Sequence, residues 1–221
     1  MKKNLICATV LLALAPLCAS AAETSDLTIG GKIRPAACNI SLSNNGLVDF
    51  GTVPVKSLNA SSVTELAEKI FDLAVACDDA TRLVIHASDN YSKKAQTDVK
   101  AFLGVADAGV SGVVSDNGTA VGGMVLYPLG ATGDGETALT LDTRDEGKTW
   151  KELEPTVAIV TWPTSDDYMG WGAVGATKPT AFSTMTQSYK IRMALAPRSK
   201  LPAFTSELPF VGSVTFRLIY I

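Results

Sequence analysis

The sequence predicts an all-β fold, and three observations carry that prediction. Apolar residues repeat with a period of two along several short stretches, as in strands that bury one face. Turn-forming clusters such as Asn44-Asn45-Gly46, Asp116-Asn117-Gly118 and Gly133-Asp134-Gly135 separate those stretches. Cys38 and Cys77 lie on the apolar faces of two of them. Together these features indicate a β-sandwich with two of its strands joined.

The individual strands follow from the alternation. It is clearest in residues 38–42, 71–77, 83–87 and 189–195. A β-branched run at residues 156–162, ended by Pro163, predicts a further strand, whereas residues 62–70 have a short helical pattern. Residues 106–135 and 164–186 are rich in small and polar residues with weak periodicity. We expect these two stretches to be elaborated loops or an added hairpin, because neither has enough apolar residues for its own core.

Residues 1–21 have the three zones of a secretory signal peptide. Lys2 and Lys3 precede an apolar stretch over residues 5–17, and small residues follow at 19–21. An apolar run of about 13 residues is shorter than the roughly 20 that a membrane-spanning helix needs. We therefore expect this segment to be removed on export to the periplasm.

Loss of that segment removes two of the four cysteines. Cys38 and Cys77 would remain in an oxidising compartment, where a disulfide is the expected state. Closing a loop of about 40 residues stabilises a fold by roughly 4 kcal/mol in the chain-entropy model. The alternatives are a metal pair or a reactive thiol, which require further ligands or an activating base that the sequence does not place nearby.

The C-terminal segment has the strongest pattern in the chain. From residue 208 to residue 220 the even positions are apolar apart from Gly212, and the odd positions include Ser213, Thr215 and Arg217. This pattern predicts a strand that buries one side fully. Chain ends usually fray, so a strand of this kind at the end of the chain needs a partner.

Several short segments occur in a characteristic order. They are Gly31-Lys32-Ile33, Ala36-Ala37-Cys38-Asn39-Ile40, Val48-Asp49-Phe50-Gly51-Thr52-Val53, Phe71-Asp72-Leu73-Ala74-Val75-Ala76-Cys77 and the strand from Gly212 to Tyr220. In this order they resemble the subunits of bacterial fimbriae that are assembled by the chaperone-usher pathway. The resemblance covers roughly residues 27–90 and 186–221.

The resemblance implies an incomplete immunoglobulin-like sandwich of the pilin type, in which a missing last strand leaves a groove and an unpaired edge. It also implies three kinds of partner, namely a periplasmic chaperone, an outer-membrane usher and neighbouring fimbrial subunits. The missing strand would come first from the chaperone and then from the next subunit, which is donor-strand complementation. The groove edge would consist of Gly212, Val214, Phe216, Leu218 and Tyr220. The alternative is an ordinary core strand in a complete sandwich.

The donor arm would be residues 22–30, before a sandwich over residues 31–221. Leu27 and Ile29 are its apolar anchors, and they share one parity. Full burial would contribute roughly 2 to 3 kcal/mol for each. The arm is short for this class of subunit, which favours a minor, terminal or accessory subunit over a bulk shaft subunit. The alternative is a frayed leader with no binding role.

Other functions have weaker support in the sequence. Lys+Arg 19 against Asp+Glu 22 offers no basic surface for nucleic acid. His86 is the only histidine, and its parity, opposite Leu83 and Ile85, indicates a surface or loop-covered residue, so we expect no enzyme. The acidic clusters and glycines form neither a calcium loop nor a phosphate-binding motif, so we expect no metal or cofactor.

The sequence therefore predicts a structural or accessory component of a fimbria at the cell surface. The rival from another class is a secreted adhesin or carbohydrate-binding module. Trp162, Tyr168 and Trp171 flank a loop that contains Asp166 and Asp167. Such rings and carboxylates can bind a sugar by stacking and hydrogen bonding.

Overall fold

The computed structural model describes residues 30, 37–91, 94–204 and 207–221. The predicted signal peptide, the predicted anchors Leu27 and Ile29, and the segment Gly31-Lys32-Ile33 lie outside the described residues. By internal contacts the chain divides into two units, Met1–Arg34 and Pro35–Ile221. All the strands reported below belong to the second unit.

The described residues form twelve strands and one α-helix. The strands are β1 (Cys38–Leu42), β2 (Thr64–Glu65), β3 (Lys69–Thr81), β4 (Leu83–Asp89), β5 (Ser111–Ser115), β6 (Ala120–Gly133), β7 (Glu136–Thr143), β8 (Lys151–Glu152), β9 (Tyr168–Ala173), β10 (Phe182–Leu195), β11 (Phe210–Gly212) and β12 (Val214–Tyr220), and the helix is α1 (Thr97–Leu103). Short 3-10 turns occur at Ser43–Gly46, Val55–Ser57, Asp107–Gly109 and Arg198–Lys200. The predicted all-β class is confirmed.

The strands are antiparallel and follow one continuous hydrogen-bonded order, β1-β3-β10-β6-β7-β9-β4-β12. The shorter strands β2, β5, β8 and β11 attach beside this path. The first and the last strand of the order, β1 and β12, each have one neighbour in it. Both ends of the sheet are therefore strand edges.

The sheet folds over on itself around one main core. Phe71 of β3 and Tyr189 of β10 stack with ring centroids 5.3 Å apart. Phe216 of β12 meets both rings, at 5.9 Å from Phe71 and 5.6 Å from Tyr189. Strands at opposite ends of the order thus face each other across the core, and half of the sheet covers the other half.

Strand β6 is buried on both faces. Met124 and Leu126 point into the main core, whereas Val125 and Tyr127 pack in a second cluster with Val99 and Leu103 of α1. A strand covered on both faces has no alternation of polar and apolar residues. This explains why residues 106–135, predicted to be loops or an added hairpin, instead include one of the two longest strands of the main sheet.

Three further local predictions are wrong. Residues 164–186, predicted to be elaborated loops or an added hairpin, contain β9 and the first part of β10, which pair in the main sheet. Residues 62–70 are not helical but contain β2 and the start of β3, because Glu65 and Lys69 pair with β10. Residues 156–162 form no strand; isolated bonds connect them to other elements, among them Ile159 N to Leu126 O, Thr161 N to Ala108 O and Asp89 N to Thr161 O. The β-branched character of this run reflects burial of side chains such as Ile159 in the core.

The predicted turns are confirmed. Asn44, Asn45 and Gly46 have φ values of 50°, 54° and 78°. Asp134 and Gly135, with φ of 51° and 84°, connect β6 to β7 as a two-residue hairpin loop. Positive φ at both central residues is the geometry that Asn-Gly and Asp-Gly pairs adopt most readily.

Candidate functional site

An apolar cleft opens from the main core between the segment after β1 and the segment before β12. Its volume is about 660 Å³. Its floor is built by core residues of β3, β6 and β10, and its walls by the loop after β1 and the C-terminal segment. Representative lining residues are Leu42, Val48, Phe50, Phe71, Met124, Leu126, Ile191, Met193, Leu208, Phe210, Val214 and Phe216. The charged side chains in its lining are Asp49 and Glu207, so the rim is weakly acidic.

Strand β12 forms one edge of this cleft. It pairs with β4 in the register Phe216↔Ala87. Two flanking bonds, from Asn90 N to Ser213 O and from Ile221 N to Arg82 O, show that the odd-numbered residues exchange hydrogen bonds with β4. The N–H and C=O groups of Val214, Phe216, Leu218 and Tyr220 therefore point away from β4. Within the described residues no strand pairs with that edge.

Strand β1 forms the other edge of the cleft, as its hydrogen-bond pattern with β3 shows. Cys38 and Cys77 are directly opposite with a Cα–Cα distance of 4.0 Å, which is typical of a pair that does not exchange hydrogen bonds. Asp78 N donates to Ala37 O, which fixes the bonded pairs on the intervening residues. The N–H and C=O groups of Cys38, Ile40 and Leu42 thus point away from β3, and no strand of the described residues pairs with them.

The predicted disulfide joins Cys38 to Cys77 and crosslinks β1 to β3. Within the described residues β1 has no other neighbouring strand. The disulfide therefore holds one wall of the cleft.

One hydrogen bond connects the two edges. The backbone N–H of Cys38 donates to the hydroxyl of Tyr220 at 3.1 Å. It is the phenol that reaches β1, and no ladder of backbone bonds connects the two strands within the described residues. The two edge strands are therefore connected through a side chain and not by backbone pairing.

Four of the residues predicted to form the groove edge lie in β12, but their burial differs from the prediction. Val214, Phe216 and Leu218 pack against the main core but are only half-buried, whereas the pattern predicted a fully buried side. Tyr220 is 51% exposed. Apolar side chains stay accessible here because nothing within the described residues covers the strand from the cleft side.

Gly212 marks a change of partner along the C-terminal segment. Before it, β11 pairs with β5; after Ser213, β12 pairs with β4. A Cβ atom on Gly212 would lie 2.8 Å from the side chain of Met124. Asn90 stabilises the change by donating from its amide to the hydroxyls of Ser213, at 2.7 Å, and Thr215, at 3.0 Å.

The three aromatic residues of the predicted sugar platform do not come together on the surface. Trp171 is 3% exposed and packs in the main core. Trp162 is 42% exposed, and its indole N–H donates to Thr164. Tyr168 is half-buried with its ring against His86 at 6.1 Å. The burial of Trp171 removes one of the three rings from any sugar-binding surface.

His86 is buried, with its ring against that of Tyr168 of β9, so the predicted surface position is wrong. Its Nδ1 lies 3.1 Å from the Ser88 hydroxyl. No group of three or more potential metal-ligating side chains occurs in the described part of the chain. No helix among those residues is long and apolar enough to span a bilayer.

Sequence reasoning missed the floor of the cleft. Val121, Met124 and Leu126 of β6 line it, but they lie in the stretch interpreted as an insertion. The signal was present as the continuous apolar run at residues 124–127, which is typical of a strand buried on both faces.

The geometry defines an all-β domain with an apolar cleft between two strand edges that no strand of the described residues pairs with. The chain belongs to the family described as "Protein of unknown function (DUF1120)", whose model matches residues 27–138. This match spans just over half of the chain and ends within β7, so the C-terminal edge strand lies outside it.

Two proteins of Escherichia coli (strain K12) are similar to this chain. "Uncharacterized protein YhcF" is 29% identical over 137 residues, which is 58% of this chain and 54% of that protein. "Protein GltF" is 31% identical over 97 residues, which is 40% of this chain and 38% of that protein. The matches thus span about half or less of the length of these relatives.

Proposed function

We propose that this chain is a structural or accessory subunit of a bacterial fimbria, whose cleft accepts an extended strand from another polypeptide. The single observation that carries the proposal is the pair of unpaired edges, β1 and β12, on the two sides of an apolar cleft. Unpaired N–H and C=O groups favour addition of a strand, and alternate apolar side chains of that strand fit a hydrophobic floor.

The half-exposure of Phe216 supports this proposal. Its ring packs on Phe71 and Tyr189, two buried aromatic residues of the core, yet its outer side faces the cleft. Burial there raises the pKa of Tyr189, so the hydroxyl of that residue stays neutral beneath Phe216. A strand seated on the cleft would cover apolar surface that water now reaches.

The proposal includes the partners that such an assembly needs. A periplasmic chaperone would occupy the cleft first, and a neighbouring subunit would replace it at an outer-membrane usher. The short arm with Leu27 and Ile29 favours a minor, terminal or accessory position in the fibre. The proposal assigns the chain to the periplasm and then to the cell surface, and it assigns no catalytic role.

A peptide-binding experiment tests the proposal. The purified protein is mixed with a synthetic peptide of residues 22–33, and the melting temperature is measured against peptide concentration. A peptide that binds only the folded chain stabilises it by about 2.7 kcal/mol at a concentration of 100 times its Kd. We expect a clear, saturable rise in Tm.

The matched control is the same peptide with Leu27→Ser and Ile29→Ser. It keeps the backbone groups but loses the apolar anchors, so we expect little or no rise. Equal effects of the two peptides, or no effect of either, would contradict strand addition at the cleft.

A further inference from the structure

We propose that Tyr220 closes one end of the cleft and so limits the length of the strand that the cleft accepts. This inference rests on the proposed function and deepens it. The occupant is residues 22–33 of a second copy of this chain, a segment whose sequence contains the apolar anchors Leu27 and Ile29. Tyr220 acts as a specificity-determining residue because it occupies the backbone donor that a longer strand would need.

The backbone N–H groups of alternate residues in β1 point away from β3. Three residues, Cys38, Ile40 and Leu42, direct their N–H groups toward the cleft. The N–H of Cys38 is bonded to the Tyr220 hydroxyl at 3.1 Å. An incoming strand can therefore take the N–H groups of Ile40 and Leu42 but competes with the phenol for that of Cys38. The bond is exposed to solvent, so an added strand that takes the Cys38 N–H must displace the phenol that is bonded to it.

The space between β1 and β12 at the Tyr220 end decides whether an added strand fits there. A gap of one missing strand separates its flanking strands by about 9.6 Å, which is twice the inter-strand spacing of ~4.8 Å. The Tyr220 side chain spans the space between β12 and β1 and ends on a β1 backbone group. The hydrogen bond to Cys38 thus holds the phenol in the position where the backbone of an added strand would run, and loss of the hydroxyl would release the ring from that position.

The two ends of the gap between β1 and β12 differ. Away from Tyr220 the cleft widens among exposed apolar side chains, with Leu47 70% exposed and Val211 45% exposed. Tyr220 and Cys38 lie beyond the residues that line the cleft, at the far end of the gap between β1 and β12. The gap is therefore open toward the cleft and bridged at its other end.

The usable edge of β12 is similar in length to the apolar face of the donor arm. With Tyr220 in place, the usable edge of β12 is Val214–Leu218, which has three free backbone positions at alternate residues. An arm whose apolar anchors are Leu27 and Ile29, two residues apart, presents a comparably short apolar face. A short arm would bind weakly in a long groove, but its length fits a groove that Tyr220 shortens.

The test compares wild-type protein with Tyr220→Phe, which removes the hydroxyl and keeps the ring. Tyr168→Phe is the matched control, because that ring is half-buried away from the cleft. Two nested peptides, residues 25–30 and 22–33, are titrated by isothermal calorimetry. In wild-type protein and in Tyr168→Phe we expect the longer peptide to gain less than twofold in affinity. In Tyr220→Phe we expect the gain from lengthening to be about fivefold, the effect of a further hydrogen bond.

A second measurement reports on the contact itself. The chain has 4 cysteines, so selective ¹⁵N-cysteine labelling gives few amide signals to resolve. We expect the Cys38 amide to exchange about tenfold faster in Tyr220→Phe than in wild-type protein, and to stay protected in wild-type protein when peptide is bound.

The outcomes separate the two proposals. If neither peptide binds any variant, the proposed function fails and this inference falls with it. If peptides bind but lengthening has the same effect in wild-type protein and Tyr220→Phe, the cleft accepts strands and Tyr220 does not limit them. Loss of Cys38 protection on peptide binding to wild-type protein would also overturn the inference, because the phenol would then have been displaced.

Discussion

Phe216 is the residue through which the outermost strand is anchored to the core. Replacement by alanine removes its contacts with Phe71 and Tyr189 and leaves a cavity above them. Because the ring is half-buried, we expect Phe216→Ala to lower the free energy of unfolding by about 2 to 3 kcal/mol, less than full burial would imply. Urea denaturation followed by circular dichroism measures this change.

The neighbouring residue provides the control for that prediction. Arg217 is exposed and points to the opposite side of β12. We expect Arg217→Ala to change the free energy of unfolding by less than about 0.5 kcal/mol. Similar losses in the two variants would show that Phe216 does not anchor the strand.

Asp145 is a second residue with a measurable role, in the loop between β7 and β8. Its carboxylate accepts from the Thr149 hydroxyl, the Thr149 N–H at 2.9 Å and the Thr143 hydroxyl at 2.8 Å. These bonds, with Thr149 the main contributor, lower the pKa of Asp145 to about 2. A depressed pKa means that the carboxylate stabilises the loop at neutral pH, and that this stabilisation begins to be lost as the pH falls below about 4.

A carboxyl ¹³C NMR titration checks this assignment. We expect Asp145 to titrate near pH 2 in wild-type protein and at a higher pH in the Thr149→Val variant, which loses the side-chain donor but keeps the Thr149 N–H and the Thr143 hydroxyl. A midpoint for Asp145 near pH 4 in wild-type protein would contradict the geometry of the loop.

Strands with an alternating pattern were predictable from the sequence. β3 and the second half of β10 bury mainly one face, so their period of two is visible in the residues. β4 was also predicted by alternation, although it is buried on both faces. β6 is covered on its second face by α1, and the apolar run at residues 124–127 was its local signal.

One part of the candidate site was predictable from the sequence, and another part was not. The edge strand was predictable because its alternation is local. The floor of the cleft and the Tyr220–Cys38 bond were not predictable, because they join residues that lie far apart in the chain, 182 positions in the case of the bond.

The element that depends most on a single crosslink is β1. Its disulfide closes a loop with a sequence separation of 39. We expect the double variant Cys38→Ala/Cys77→Ala to lose about 4 kcal/mol of unfolding free energy, on the chain-entropy model. We also expect it to bind the peptide of residues 22–33 more weakly, since β1 is one wall of the cleft. A loss below about 1 kcal/mol with unchanged peptide affinity would show that β1 is held by its pairing with β3 alone.

At the scale of the whole molecule, β12 covers an edge that would otherwise be open in the centre of the fold. It pairs along all of β4, from Asp89 to Leu83, and carries Phe216 into the aromatic cluster. Deletion of residues 214–221 would expose β4 as a long apolar edge and uncover the core beneath it. We expect the deleted chain to show no cooperative thermal transition, to bind the dye ANS, and to fail to accumulate in the periplasm.

Deletion of Ile221 alone is the matched control, since this residue is 59% exposed. We expect that variant to accumulate and unfold like the wild-type protein. A peptide of residues 210–221 added to the longer deletion should restore part of the cooperative transition, because it replaces the pairing with β4. Normal accumulation of the longer deletion would mean that the rest of the sheet is stable without its last strand, and the cleft would then lack the rigid edge on which strand addition depends.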